Sequence, residues 1–128
     1  MNYTFERELN GVIIVNIEID GKYVLNMVLD TGATHTTIDS KALHLLGYDI
    51  NNSIGKISIE TANGVIETEI FELGSFTSLG ITKNKFQIQM FDFLAQGIFS
   101  DYNGLLGLDF LEGSKFCIDT IQNTITLS

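Results

Sequence analysis

The chain has 128 residues, 16 Asp and Glu against 7 Lys and Arg, a formal net charge of −9, and 45% hydrophobic residues. That is enough apolar sequence for one core, which excludes a disordered chain. A surface this acidic argues against nucleic acid or anionic membrane as partners.

The first ten residues, MNYTFERELN, carry no basic start followed by an apolar stretch. No apolar run approaches the roughly 20 residues that cross a bilayer. A cytoplasmic protein is the expectation. Residues 11–19 (GVIIVNIEI) and 22–29 (KYVLNMVL) read as two strands joined by a two-residue turn at Asp20-Gly21, which accepts positive φ. The second run ends in a sharp polar loop, Asp30-Thr31-Gly32-Ala33-Thr34. A short helix follows, capped by Asp39 or Ser40 and closed by Gly47.

Residues 56–62 and 65–72 alternate on either side of Asn63-Gly64, a strong hairpin signal. Further strand is expected over 75–93, with a turn near Lys83-Asn84. Residues 97–103 (GIFSDYN) read as a loop. GLLGLDFLEG, from Gly104, reads as a short apolar strand entering a helical turn at Asp109. KFCIDT–IQN–TITLS closes the chain as a hairpin, with Cys117 expected as a small buried hydrophobe. This single cysteine excludes an internal disulfide. With no linker or repeat, residues 1–128 are expected to form one all-β, barrel-like domain with one or two short helices.

Most acids in the chain have ordinary structural readings. Asp109 before Phe110-Leu111 suits a helix N-terminus, where free N–H groups stabilise a carboxylate. Asp101 and Asp119 read as turn acids, and Glu60, Glu67, Glu69 and Glu72 as a solvated hairpin face. His44 belongs on a helix surface. His35 adjoins the Asp30 loop, where a structural role and an approach to substrate are both open. No Cys or acid stands at metal-ligand spacing from both histidines, so neither metal nor cofactor is expected. No G-x-S-x-G elbow supports a serine hydrolase, and Gly104-x-x-Gly107 is too apolar for a phosphate cradle.

Three features in order carry a resemblance. They are Val28-Leu29-Asp30-Thr31-Gly32-Ala33, the Asn63-Gly64 hairpin preceded by Thr61-Ala62, and Gly104-Leu105-Leu106-Gly107-Leu108-Asp109-Phe110-Leu111. Together they resemble the catalytic loop, flap and hydrophobic-hydrophobic-Gly segment of retropepsin-like aspartic peptidases, specifically the bacterial single-domain type. The resemblance implies an acid-protease closed barrel acting as a two-fold homodimer on peptide or protein substrates. Asp30 would be the catalytic acid, with Thr31 and Gly32 supporting the loop. Ala33, Thr34, Ala62, Asn63, Gly64, Leu105 and Leu106 would contact substrate. With a single Asp-Thr-Gly, one chain supplies half a dyad and two-fold symmetry the other half.

The chemistry agrees with that implication. Hydrolysis without metal or covalent intermediate needs a base to activate water and an acid to protonate the departing group. Two close carboxylates sharing one proton supply both, the general pattern of aspartic proteases. Viral members commonly carry an acid at the place of Thr34 and an Arg at that of Leu108. Here both charges are missing together, which avoids an unpaired charge in a confined place. The uncharged loop floor and Leu-Leu strand imply apolar residues on both sides of the cut. The rival reading is a non-catalytic peptide- or protein-interaction module on the same fold.

Overall fold

The computed structural model describes residues 2–7, 11–61, 64–98 and 101–127. Eleven strands are described. They are β1 (Asn2–Thr4), β2 (Glu6–Arg7), β3 (Ile13–Ile19), β4 (Tyr23–Leu29), β5 (Thr37–Asp39), β6 (Gly55–Thr61), β7 (Gly64–Ser78), β8 (Ile81–Phe91), β9 (Gly104–Leu106), β10 (Phe116–Asp119) and β11 (Thr124–Leu127). Two short helices, α1 (Ser40–Leu45) and α2 (Leu108–Leu111), and a 3₁₀ turn at Leu94–Gln96 complete the described elements.

Six strands pair in the order β3-β4-β9-β5-β8-β7, and β7 returns to β3 through Glu18↔Thr77 and Ile19↔Phe76. The ring is a closed barrel, as expected, with β2 and β6 flanking it. Closure leaves no free edge within the ring and turns alternate side chains inward. Ile17, Ile19, Met27, Ile38, Leu73, Phe76, Ile88, Met90 and Leu106 are all at or below 1% exposure and form the core. Phe110 of α2 packs against Phe76 and Phe86 at ring-centroid distances of 5.2 and 6.0 Å, so the short helix is clamped to the barrel. No helix among the described residues is long and apolar enough to cross a membrane.

Local signals explain several turns. Asp20 and Gly21 both take positive φ, and the Lys22 N–H donates to the Ile19 carbonyl at 3.0 Å. The loop is one residue longer than expected, because Ile19 pairs with Tyr23. Asp39 caps α1 by accepting from the Lys41 N–H at 3.3 Å, and Gly47 follows the helix in the left-handed region.

Two expectations are corrected. The turn expected near Lys83-Asn84 lies at Leu79-Gly80, with φ of +52° and +75° and Ser78 opposite Ile81. Gly80 supplies one of the two positive φ values that a two-residue hairpin loop needs. The Ser78 hydroxyl, bonded to the Asn16 carbonyl at 2.8 Å, holds the strand end in place. Lys83 instead lies inside β8, its ammonium on the Asp109 carbonyl at 3.1 Å.

Cys117 is exposed, not buried. Its strand belongs to a separate sheet, β1-β11-β10, which presents one face to the barrel core. Phe116, Ile118, Ile125 and Leu127 pack on that core. Cys117 alternates to the other face, opposite Thr126.

Candidate active site

Strand order creates the site. β9 lies between β4 and β5, parallel to the first and antiparallel to the second. The segment joining β4 to β5, residues 30–36, must therefore pass around the C-terminal end of β9. Gly107 makes that passage possible by space rather than by conformation. A Cβ there would stand 2.7 Å from the His35 carbonyl carbon and 2.9 Å from the Ala33 oxygen.

Backbone bonds hold the loop on both sides. The Asp30 N–H donates to the Leu106 carbonyl at 2.9 Å, and the Leu108 N–H donates to the Ala33 carbonyl at 2.8 Å. Within the loop the Ala33 N–H closes on the Asp30 carbonyl at 3.1 Å. The Gly32 N–H donates to Asp30 Oδ1 at 3.0 Å, steadying the carboxylate. Asp30 is partly exposed, Thr31 is exposed, and neither side chain has a further hydrogen bond among the described residues.

Behind the loop lies a buried brace. Thr36, at 0% exposure, donates its N–H to both Asp109 oxygens at 2.9 and 3.0 Å and its hydroxyl to Oδ1 at 2.7 Å. Its hydroxyl oxygen accepts the Gly107 N–H at 3.1 Å. Asp109 also takes the Phe110 N–H at 2.8 Å. The helix-terminal role expected of Asp109 is present, together with a second role as anchor of the site loop. Asp119 is a turn acid, accepting from the Ile121 and Gln122 N–H groups at 2.8 and 3.0 Å. His35 is exposed, and its Nδ1 lies 3.0 Å from the Thr34 hydroxyl.

A cleft of about 420 Å³ opens between this loop and the β6–β7 hairpin. Gly32, Ala33, Thr34, His35 and Leu105 line it, and of these Ala33, Thr34 and Leu105 are residues expected to contact substrate. Leu106, expected there too, is fully buried in the core and serves the site through its carbonyl. Gly64 is exposed at the start of β7, outside the cleft lining. Ala62 and Asn63 lie outside the described residues. Sequence reasoning missed the opposite wall, Ile59 and Ile66, and the floor, Thr37, Gln89 and Phe91. Alternation in 57–59 marks a hairpin face, but only strand order shows what that face covers. A second concavity of about 510 Å³ runs beside α2 and includes the uncharged Thr34 and Leu108.

Comparison with known proteins agrees with this architecture. The aspartyl protease family model matches residues 15–110. A crystal structure of a retropepsin-like aspartic protease from Rickettsia conorii superposes with a TM-score of 0.72 at 22% identity, covering 99% of this chain and 89% of that one. No curated protein matches. A family match running from β3 into α2, and so taking in both the Asp30 loop and the Asp109 brace behind it, means that the chain belongs to the aspartyl protease family.

Proposed function

We propose that this chain is one half of an aspartic endopeptidase, with an active site formed when two copies bring their Asp30 carboxylates together around a shared water. The observation that carries the reading is the Asp30 loop itself. The carboxylate is oriented by the Gly32 N–H, partly exposed, and beside a cleft wide enough for a peptide side chain. The chain has one Asp-Thr-Gly and so half of the acid–base pair that the chemistry needs.

In the assembled dyad one carboxylate is ionised and the other protonated, since like charges a few ångström apart do not both persist. The ionised group takes a proton from water as the hydroxyl adds to the peptide carbonyl, whose oxygen receives the second carboxyl's proton. Collapse of the tetrahedral species breaks the C–N bond, and the proton held by the first carboxyl goes to the departing nitrogen. One hydroxyl proton of the tetrahedral carbon returns to the second carboxylate as the new carbonyl forms. Thr31, exposed on the loop, is available to bond across to its symmetry mate, and the β6–β7 hairpin would cover the substrate.

The test is digestion of a mixed peptide library by wild type and Asp30→Asn, with oligomer mass from equilibrium sedimentation. Cleavage by a wild-type dimer, lost in Asp30→Asn at unchanged melting temperature, is the expected result. Peptide binding without turnover in either protein would favour an interaction module, and a chain monomeric at high concentration would sink the homodimeric enzyme.

A further inference from the structure

The floor of the cleft holds a group that the Asp30 chemistry does not use. Gln89 lies in β8 between Ile88 and Met90, which are 1% and 0% exposed and turned into the core. Strand alternation directs Gln89 the other way, to the cleft, on the same face as Phe91. Gln89 is only 5% exposed, and its side-chain amide makes no hydrogen bond among the described residues. Thr37 stands beside it in register on β5, with its hydroxyl turned back to the His35 carbonyl at 3.4 Å. Ile59, Ile66, Phe91 and Leu105 surround this spot with hydrocarbon. The amide is reachable from the cleft rather than sealed in the core, so its hydrogen-bonding capacity is free for water or for a ligand group that enters.

We propose that Gln89 is a specificity-determining residue. The cleft takes a substrate side chain that is apolar along its length and ends in an uncharged hydrogen-bonding group, with tyrosine favoured over phenylalanine. The proposal rests on the protease reading for the ligand being a peptide. An aromatic ring fits the apolar walls and the volume of about 420 Å³. A phenol both donates and accepts, matching an amide that does the same. A carboxylate end would meet Glu60, which also lines the cleft, whereas a phenol bonds the amide without bringing a charge.

The experiment uses peptide pairs identical except for Tyr or Phe, placed in turn at each position flanking the scissile bond. For wild type, kcat/KM for Tyr should exceed that for Phe by roughly two- to tenfold at one position, the net worth of one hydrogen bond exchanged for water. Gln89→Met should bring that ratio to about one while still cutting the Phe peptide. Gln89→Leu is a second variant should Met pack poorly. The melting temperature should hold, because no hydrogen bond within the protein is removed. A Tyr-to-Phe ratio near one at every position in wild type overturns the proposal, as does a preference that survives in both variants. Equilibrium binding of the same pairs to the Asp30→Asn protein separates this idea from the enzymatic one. A Tyr preference in binding that the added Gln89→Met abolishes supports the pocket even where no peptide is cut. Cleavage without discrimination keeps the protease and overturns the pocket, and so does failure of both peptides to bind.

Discussion

Thr36 and Asp109, 73 residues apart, are joined through both the backbone N–H and the hydroxyl of the threonine, at 2.7 to 3.0 Å. This pair ties the end of the Asp30 loop to α2. Asp109→Ala strands two backbone donors and a buried hydroxyl, so a loss of roughly 2–4 kcal/mol is expected. Thr36→Val removes only the hydroxyl and leaves the Gly107 N–H without its acceptor, for about 1–3 kcal/mol. Urea midpoints at constant m-value measure both. The double variant should be less destabilised than the sum, because the two side chains share the bond. Strict additivity would show that the brace is not a unit.

Close packing at the site predicts a graded glycine series. In Gly104→Ala the new methyl would lie 2.1 Å from the Thr37 carbonyl oxygen, and in Gly107→Ala 2.7 Å from the His35 carbonyl carbon. Both obstacles are backbone and cannot rotate away. Each variant should lose more than about 3 kcal/mol or fail to fold. Gly113→Ala has open space and only its φ of +86° to oppose it, which costs about 1 kcal/mol. Thermal melts of the three proteins check the order, and equal losses would refute the packing argument.

Subunit mixing tests the proposed shared site. Asp30→Asn chains exchanged into wild type should form dimers with one aspartate, which lack half of the acid–base pair. Peptidase activity should then fall with the square of the wild-type fraction. A linear fall would mean that each chain works alone.

Tyr48 predicts an alkaline limit to stability. Burial raises its hydroxyl well above the usual phenol range, helped by the hydrogen bond to Asp20, the Asp20 charge and Tyr23. The folded state therefore holds this proton more tightly than the unfolded one. Its contribution is full below about pH 10 and is lost as pH climbs from there toward the folded value. Tyr48→Phe should flatten this limb and lose about 1 kcal/mol at neutral pH with the Asp20 bond. Urea midpoints compared at about pH 8 and about pH 11 give the slope. The same slope in both proteins would assign the effect to another group.

The sequence by itself determined the features that depend on a few consecutive residues. The Asp20-Gly21 turn, the Asp39 cap, the Gly47 stop and the polar loop after an apolar strand follow from φ preferences and side-chain-to-backbone bonds a few residues long. The strand content and the position of Asp30 on a sharp loop were legible for the same reason. Tertiary structure decided which face of each strand is inside. Cys117 alternates outward because its sheet meets the barrel through Phe116 and Ile118, and Gln89 turns to the cleft because Ile88 and Met90 take the core. It also decided that β7 runs through to Leu79-Gly80, since Lys83-Asn84 is an equally plausible turn until pairing with β8 is known. The second function of Asp109 was hidden in the same way. A carboxylate before a helical turn has the same local signature whether or not a threonine 73 residues upstream has been carried to it by β9 inserting between β4 and β5. Local preferences act over a few bonds, whereas register, facing and enclosure exist only once the barrel has closed.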